Sequence, residues 1–255
     1  MIDLHCHILP GVDDGSSSEE ESCRMARLAV ESGVTAVCAT PHCNVPGCFD
    51  NYRTEALEER FLRLARLLGE RDIPALQLAV VKRCIHTSAD FDYADNLVFS
   101  PDAVAKGIEA IRNGCTIVTD TQMARAGIHK AALTPYGGEV RCFIADPDVA
   151  DEARKRGITR AAVSMEKAAA LQKPLIFALG NAPTALLRLC ELAEEGAVSP
   201  AVVIGAPVGF VNVVESKEVL LDSGLPQITA RGRKGGSNVA AAVCNALLYH
   251  MSGKK

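Results

Sequence analysis

A histidine set among cationic, hydroxyl and acidic residues is the strongest chemical signal in this sequence. His86 has Arg83 three positions before it and Thr87 directly after it. An imidazole gains and loses a proton near neutral pH, and a guanidinium binds carboxylates through paired hydrogen bonds. Because a lone histidine is more often a satisfied core or surface residue, the prediction depends on these neighbours. They predict a proton-handling group beside an anion clamp.

Three glycine-rich loops follow predicted strands, at residues 180–184, 205–211 and 231–237. In open α/β sheets, ligands bind at the carboxyl ends of strands, where glycines let backbone amides approach an anion. A single such loop is equally well explained by turns and a solvated surface, but three together favour an anionic ligand. The predicted ligand contacts in these loops are Asn181, Thr184, Gly205, Gly209, Arg231, Arg233 and Ser237. Asp120, at the end of the strand predicted at 116–120, is a further predicted contact.

A second group of potential ligands lies near the N-terminus. His5 and His7 alternate along a predicted strand, so their side chains point to the same side. Asp14 and His42 add two more donors. Imidazole nitrogens and carboxylate oxygens together suit a divalent metal ion, so the four residues form a candidate partial metal site.

Strands and helices alternate along the whole chain. The first four elements are predicted at residues 2–7, 16–33, 35–40 and 54–69 as strand, helix, strand and helix. Later strands are predicted at 116–120, 140–145, 174–179, 201–204 and 227–230. Helices are predicted between them, including one at 101–113 capped by Ser100. This order predicts an α/β fold with a mostly parallel sheet covered by helices on both faces.

Composition excludes several classes of function. The 255 residues carry a net charge of -4 and no Trp, so neither a basic nor an aromatic surface for nucleic acid is expected. The chain has no apolar run long enough to cross a membrane and no signal-like start, which predicts a cytoplasmic protein. Ten Cys without any Cys-x-x-Cys pair are expected to be reduced and mostly buried.

The two ends of the chain differ in composition. Residues 1–74 contain seven Arg, thirteen acidic residues and no Lys, and the first lysine is Lys82. Such an asymmetry indicates two origins within one chain.

Ordered motifs in residues 55–252 resemble the precorrin-8X methylmutase family. They lie at residues 81–94, 96–100, 119–124, 127–128, 180–186, 205–211, 215–218 and 231–237. The stretch 86–92 is more similar to the anaerobic, cobalt-containing branch of the family than to the aerobic branch.

This resemblance implies an isomerase of cobalamin biosynthesis. Its substrate is cobalt-precorrin-8, a tetrapyrrole with many carboxylate arms, and one methyl group moves from C11 to C12 of the corrin ring to give cobyrinic acid. The resemblance implies that His86 protonates or hydrogen-bonds the ring and that Arg83 binds substrate. The methyl group then migrates by a sigmatropic shift, without a covalent enzyme intermediate. No cofactor is implied, and members resemble homodimers with the active site near the subunit interface.

Arg60 departs from the family pattern. The family carries Arg-Ser-Phe on its first helix, and the Ser touches substrate. The corresponding residues here are Glu59, Arg60 and Phe61. Arg60 is therefore predicted to contact substrate in place of the family serine.

The first 74 residues resemble a second family, the polymerase-and-histidinol-phosphatase (PHP) type metal-dependent tyrosine phosphatases of capsule operons. Residues 1–15 and 39–42 carry this resemblance. That family uses three metal ions and further ligands from later strands of a barrel, and this chain leaves the pattern before them. Residues 1–54 are thus predicted to be a short βαβ(α) fragment of an incomplete PHP barrel with a vestigial metal site, and residues 55–255 the methylmutase domain.

Two alternative functions fit the same residues. One is a PHP-type tyrosine phosphatase or phosphoesterase that uses the N-terminal histidines. The other is a non-catalytic corrinoid-binding protein, if Arg60 and the fused segment disrupt the active site. A bound coloured corrinoid favours the mutase or the binding protein, whereas metal content and hydrolysis of a nitrophenyl phosphate favour the phosphatase.

Overall fold

The computed structural model describes residues 2–43, 45, 48–49, 54–68 and 73–252. Contacts between Cα atoms divide the chain into two compact units, Met1–Ile73 and Pro74–Lys255. Gly69, the predicted end of the fourth element, lies outside the described residues. Among the described residues, no helix combines the length and the apolar character that crossing a bilayer requires.

The N-terminal unit is a βαβα segment. Its elements are β1 (Ile2–Cys6), α1 (Glu19–Glu31), β2 (Ala36–Ala39) and α2 (Glu55–Leu68). The two strands pair in parallel, with Ile2 opposite Ala36. Ser18 caps the start of α1, because the amide of Glu21 donates to the Ser18 hydroxyl at 3.2 Å.

Helix α2 packs within this N-terminal unit through one buried leucine. Leu64 forms a small apolar cluster with Ile8 and Leu9, the residues directly after the first strand. The predicted domain boundary between residues 54 and 55 assigns α2 to the methylmutase region instead. That boundary stays a prediction.

The C-terminal unit contains one six-stranded sheet. Its strands are β3 (Leu97–Phe99), β4 (Thr116–Thr119), β5 (Glu139–Arg141), β6 (Leu175–Leu179), β7 (Val202–Gly205) and β8 (Gln227–Ala230). The strand order is β3-β8-β7-β6-β4-β5, and all neighbours are parallel except the antiparallel pair β3 and β8. The four inner strands are buried along their whole length, and apart from Gln227 at the start of β8 they consist of apolar or small residues.

Ten helices and a 3-10 turn (Thr134–Tyr136) belong to the described part of this unit. The helices are α3 (Ala75–Ser88), α4 (Tyr93–Asn96), α5 (Ala103–Arg112), α6 (Gln122–Gly127), α7 (Lys130–Leu133), α8 (Pro147–Arg156), α9 (Arg160–Ala169), α10 (Pro183–Glu194), α11 (Val213–Asp222) and α12 (Ser237–Ser252).

Helices cover both faces of the sheet, as predicted. Leu175, Phe177 and Leu179 of β6 pack into an apolar cluster with residues of α8, α9, α10 and α11. Because side chains alternate along a strand, Ile176 and Ala178 face the other side. Helices α5 and α12 contact β6 and β7 and each other. The mostly parallel α/β architecture is therefore confirmed.

Three local predictions were wrong. The helix predicted at 101–113 begins at Ala103, and Ser100 does not cap it. The Ser100 hydroxyl accepts from the amide of Gln227 at 2.8 Å instead, which ties β3 to β8. The strand predicted at 140–145 is shorter, at Glu139–Arg141, because the chain turns toward Pro147 at the start of α8. The antiparallel β3 and the short helices α6 and α7 were not predicted.

Candidate functional site

The carboxyl ends of four parallel strands meet at one edge of the sheet. Strands β4, β6, β7 and β8 all end there, and the three glycine-rich loops follow β6, β7 and β8. Open α/β sheets bind ligands at this edge. The loop residues are thus placed where a ligand site is expected.

Asp120 anchors the first of these loops. Its carboxylate is buried and accepts from the backbone amides of Gly180 at 3.0 Å, Asn181 at 2.7 Å and Ala182 at 2.7 Å. Burial raises the pKa of Asp120, although the three amide hydrogen bonds oppose that rise. Both oxygens are engaged by the main chain, so we interpret Asp120 as a group that shapes the loop.

Gly180 is required because α12 begins directly beside it. A Cβ atom at Gly180 would lie 2.6 Å from the carbonyl oxygen of Gly236 and 2.7 Å from the Cα of Ser237. The Ser237 hydroxyl lies 2.7 Å from the hydroxyl of Thr121. The loop after β6, the start of α6 and the start of α12 are therefore held together at the sheet edge.

The other two loops are tied to each other by backbone contacts. The amide of Gly236 donates to the carbonyl of Ala206 at 2.8 Å, and the amide of Gly209 donates to the carbonyl of Arg233 at 3.3 Å. A Cβ atom at Gly235 would clash with the carbonyl oxygen of Ala206 at 2.2 Å. Gly205 also leaves no room for a side chain, since a Cβ atom there would lie 2.5 Å from the side chain of Leu220.

The cations of the last loop are exposed and differ in their partners. Lys234 binds the carboxylates of Asp90 at 2.7 Å and Asp92 at 2.5 Å, which neutralise its charge. The Nε atom of Arg231 lies 3.5 Å from a carboxylate oxygen of Glu218. The Arg233 guanidinium lies 5.4 Å from the centre of the Phe210 ring. Arg231 and Arg233 are the two cations placed to meet an anionic ligand.

Phe210 and Val211 form an apolar tip on the loop after β7. Their exposed fractions are 82% and 77%, and Met123 at the start of α6 is 73% exposed. Large apolar side chains are seldom exposed together on a surface without a ligand or partner. The sheet edge thus presents apolar side chains and guanidinium groups together.

His86 lies on the C-terminal half of α3, beside a shallow cavity of about 270 Å³. Its imidazole is exposed, so it is accessible to a ligand. Helices α3, α6 and α12 form the walls. The lining residues are Arg83, His86, Thr87, Gly127, Asn238, Ala241, Ala242 and Asn245. Three predicted site residues, Arg83, His86 and Thr87, are therefore brought together.

Arg83 is oriented by an aromatic ring. Its guanidinium lies 4.6 Å from the ring centre of Tyr249 on α12, and the ring of His129 lies 5.7 Å from the same tyrosine. A guanidinium over an aromatic face is attracted by the ring quadrupole. Tyr249 therefore limits the positions that Arg83 can take beside His86.

Asn245 fixes the distance between α6 and α12. Its amide nitrogen donates to the carbonyl of Gly127 at 2.9 Å, and its oxygen accepts from the amide of His129 at 2.8 Å. A Cβ atom at Gly127 would lie 3.1 Å from the Cβ of Ala241, so the two helices pack closely. The spacing of Asn238, Asn245 and Tyr249 on one helix face was the available signal for these residues, and the sequence analysis missed it.

Thr184 and Arg60, two further predicted site residues, contact other segments of the chain. Thr184 lines a separate cavity of about 490 Å³ between α8, α9 and α10, where it accepts from the hydroxyl of Thr159 at 3.0 Å. Arg60 belongs to the N-terminal unit and donates to the backbone carbonyls of Pro10 and Gly11. Thr184 does not line the cavity beside His86.

Lys217 is the most unusual residue near this edge that the sequence analysis did not single out. It is fully buried on α11, and its ammonium donates to the carbonyls of Gly232 at 2.8 Å and Lys234 at 2.7 Å. Burial lowers the pKa of Lys217 to about 8. Nothing in local sequence pattern signals burial of this lysine.

The predicted metal ligands of the N-terminal unit lie close together. Ligand atoms of His7, Asp14 and His42 all lie within 4.8 Å of one another. The Nε2 atoms of His5 and His7 are 3.1 Å apart, and the Nδ1 atom of His5 lies 3.0 Å from the Thr40 hydroxyl. This donor set of nitrogen and carboxylate oxygen atoms fits a divalent cation.

Asp13 contacts two of the histidines in this cluster. Its buried carboxylate lies 2.8 Å from Nδ1 of His7 and accepts from the amide of His42 at 2.7 Å. Burial favours the neutral acid, but hydrogen bonds from the Gly15 and His42 amides and the nearby imidazoles lower the pKa of Asp13. A carboxylate that orients a ligand histidine in this way is typical of metal sites.

Comparisons with known proteins agree with both parts of the chain. The sequence model described as precorrin-8X methylmutase matches residues 56–250, and the model described as capsular polysaccharide synthesis, CpsB/CapC, matches residues 1–87. The two matches overlap at residues 56–87. The second match confirms the resemblance of the N-terminal segment to a capsule-operon family.

Individual relatives cover most of the C-terminal region. The cobalt-precorrin-8 methylmutase of Salmonella typhimurium is 51% identical over 69% of this chain and 82% of its own length. That of Priestia megaterium is 46% identical over 73% of this chain and 83% of its own length. The crystal structure of precorrin-8X methylmutase from Thermus thermophilus is 37% identical, covers 79% of this chain and 98% of its own, and superposes with a TM-score of 0.66. This chain therefore belongs to the precorrin-8X methylmutase family.

Proposed function

We propose that the protein is a cobalt-precorrin-8 methylmutase, an isomerase that moves a methyl group from C11 to C12 of the corrin ring to give cobyrinic acid. The observation that carries this proposal is the shared cavity of His86, Arg83 and Thr87 in a chain of this family. The two relatives described above carry the name cobalt-precorrin-8 methylmutase, which supports the cobalt-containing substrate.

The proposed reaction needs a proton donor and a rigid hold on the macrocycle. The exposed imidazole of His86 donates a proton or a hydrogen bond to the ring, which favours migration of the methyl group with its bonding electrons. Any proton donated in this way returns to His86 after the shift, so that the product is an isomer of the substrate. The methyl group leaves C11 as it bonds to C12, so no covalent bond to the enzyme forms. Arg83 binds a carboxylate arm near the reacting ring, and Thr87 adds a hydroxyl beside it.

Binding of the carboxylate arms is assigned to the sheet edge. Arg231 and Arg233 present guanidinium groups there, and the glycine-rich loops present backbone amides. The exposed ring of Phe210 offers a flat apolar surface that suits the macrocycle. The proposed surface therefore offers an apolar ring to the flat macrocycle and cationic groups to its anionic arms.

We propose that the protein is a homodimer in which the second copy completes the site. The cavity beside His86, about 270 Å³, is small for a ligand larger than typical drug-sized molecules. The exposed Phe210, Val211 and Met123 are suited to burial against the ligand or the second copy. Light scattering of the purified protein measures its mass, and a monomeric mass at working concentrations contradicts this proposal.

The proposed activity is tested with two substrates. Purified protein is incubated with cobalt-precorrin-8 and, separately, with its metal-free counterpart, and the absorption spectrum of the product is recorded. We expect formation of the cobyrinic acid spectrum, faster with the cobalt-containing substrate. Binding of the corrinoid without any spectral change to product supports the non-catalytic alternative instead.

Replacing Tyr249 with leucine is expected to weaken substrate binding. The Arg83 guanidinium loses its aromatic support, and a cation–π contact contributes about 0.5 to 2 kcal/mol, so KM rises by about 2- to 30-fold with little change in kcat. Steady-state kinetics measure both constants. Tyr249→Phe is the matched control, since it keeps the ring and removes only the hydroxyl. Equal KM values for the leucine variant and the unaltered protein contradict the role of the ring.

The N-terminal cluster supports a second candidate function, the binding of a divalent cation. His7, Asp14 and His42 supply the donors, His5 lies beside them, and Asp13 orients His7. In the PHP-type family such ions activate water for phosphoester hydrolysis, and hydrolysis by this chain is the alternative to a vestigial site. No cofactor is proposed for the methylmutase reaction itself.

Metal binding is tested by removing one ligand. We expect the unaltered protein to bind Mn²⁺ or Zn²⁺ and His7→Ala to lose most of that binding, because the cluster loses one of its central donors. Calorimetric titration with each metal measures the affinity, and His250→Ala on α12 is the control. Methylmutase activity should be equal in all three proteins. Equal metal affinity of His7→Ala and the control contradicts the assignment, and hydrolysis of nitrophenyl phosphate supports a phosphatase.

We propose the cytoplasm as the compartment, with a corrinoid and a second copy of the chain as partners and neither nucleic acid nor membrane. All ten cysteines are free thiols, which is usual for proteins of reducing compartments. The net charge of -4 offers no general attraction to nucleic acid.

A further inference from the structure

A buried lysine stands behind the loop that carries the exposed arginines. Lys217 has no exposed surface, and its ammonium donates to the carbonyls of Gly232 and Lys234, one on each side of Arg233. Among the described residues, no ion pair includes Lys217. Burial of an ammonium held only by neutral carbonyls is costly, so its presence calls for a reason beyond packing.

The two hydrogen bonds determine the shape of the loop. With the carbonyls of Gly232 and Lys234 turned inward to Lys217, the intervening Arg233 is directed outward, where it lies over Phe210. The carbonyl of Arg233 accepts from Gly209, which ties the same segment to the neighbouring loop. Lys217 thus controls the segment from Arg231 to Lys234 without being able to touch a ligand.

We propose that Lys217 is a positioning residue for the corrinoid, whose buried ammonium holds the loop after β8 so that Arg231 and Arg233 meet the carboxylate arms. This inference rests on the proposed function. The ammonium also places a positive charge behind the loop, which adds to the attraction for anionic arms. A neutral amine keeps two N–H donors but loses both the charge and the stronger, charge-assisted hydrogen bonds.

Several ionisable residues lie on the elements that pack around Lys217, and they bear on how substrate binding depends on pH. Burial is the cause of its lowered pKa of about 8. Ionisable residues on α11 itself, on the packed helix α10 and on the loop after β8 are Glu215, Glu218, Asp222, Arg188, Cys190, Glu191, Glu194, Glu195, Arg231, Arg233 and Lys234. Arg188 is occupied by Glu166, Glu191 and Glu195, and Lys234 by two aspartates.

Affinity and stability are expected to respond to pH in opposite directions. Above a pH of about 8, Lys217 loses its proton in the folded protein, so the affinity for a carboxylate-bearing corrinoid falls. The pKa of this lysine is lower in the folded state than in the unfolded state, where it is 10.5. Between these values the unfolded chain binds more protons, so this residue makes the folded state more stable as the pH rises. A purely structural lysine gives the second effect without the first.

The test uses full-length variants and two forms of one ligand. Cobyrinic acid and its carboxyl-esterified form are titrated by absorption spectroscopy into the unaltered protein, Lys217→Gln, Lys217→Met and the exposed-lysine control Lys106→Gln, from pH 6.5 to about 10. Lys217→Gln keeps N–H donors without charge. We expect its affinity for cobyrinic acid at pH 7 to be about 3- to 10-fold lower and to lack the fall above pH 8.

The methionine variant and the esterified ligand show which part of the inference is wrong if the expected result is not obtained. Lys217→Met should bind cobyrinic acid more weakly than Lys217→Gln, and the esterified ligand should bind all folded variants alike, because it lacks anionic arms. Equal affinities and pH profiles for Lys217→Gln and the unaltered protein overturn the inference. Failure of the unaltered protein to bind cobyrinic acid overturns the proposed function instead. If Lys217→Met does not fold, the affinity and the pH profile of Lys217→Gln still test the inference.

Discussion

Replacing His86 with alanine is expected to abolish the methyl migration while the protein still folds and binds corrinoid. The imidazole lines the cavity and is the proposed proton donor, and proton transfer by a positioned side chain accelerates reactions by about 10²- to 10⁴-fold. Since one exposed hydrogen bond contributes only about 1 kcal/mol, the affinity for cobyrinic acid should change by less than about 10-fold. Turnover of cobalt-precorrin-8 and titration with the product measure the two quantities separately.

His250→Ala is the matched control for this experiment. His250 is also an exposed helical histidine, but it does not line the cavity beside His86. Its replacement should leave turnover unchanged. If His86→Ala keeps activity within about 10-fold of the unaltered protein, another group supplies the proton and the proposed role of His86 is wrong. Loss of both turnover and binding indicates instead that His86 holds the substrate.

Replacing Asp120 with alanine is expected to cause the largest loss of stability among the site residues. The buried carboxylate is the acceptor for three backbone amides at the end of β6. Each amide left without a partner costs about 1 to 3 kcal/mol, so the free energy of unfolding should fall by about 3 kcal/mol or more. Unfolding in urea followed by circular dichroism measures the change.

Two further variants test whether the loss of stability comes from the hydrogen bonds between Asp120 and the backbone amides. Asp120→Asn keeps one carbonyl acceptor but places an NH₂ group against donors, so we expect an intermediate loss. Asp151→Ala is the control, since Asp151 forms only an exposed ion pair with Arg154 at 3.0 Å, and such pairs contribute less than about 1 kcal/mol. An equal effect of Asp120→Ala and Asp151→Ala contradicts the anchoring role.

Several strands of the sheet could be predicted because the apolar character of their own residues indicates a buried strand. Strand β6 is a run of apolar residues buried on both faces, and β8 has the predicted bounds at Gln227 and Ala230. The helix predicted over 16–33 begins with three serines before Glu19, and the structure shows that Ser18 is the one whose hydroxyl satisfies a free amide at the helix start. Ser100 is also a short hydroxyl residue ahead of a predicted helix, but its hydroxyl accepts from the amide of Gln227 on β8 instead.

The α/β class, the family resemblance of both parts and the closeness of Arg83, His86 and Thr87 along the chain could all be read from the sequence. Which distant residues meet these three depends on the packing of the folded chain. Asn238 and Asn245 line the cavity, and Tyr249 meets Arg83, because α12 packs against α3 and α6. Lys217 is buried because the loop after β8 folds over it. The physical reason is that burial, close helix packing and hydrogen bonds between remote segments depend on the whole chain, whereas periodicity depends on near neighbours alone.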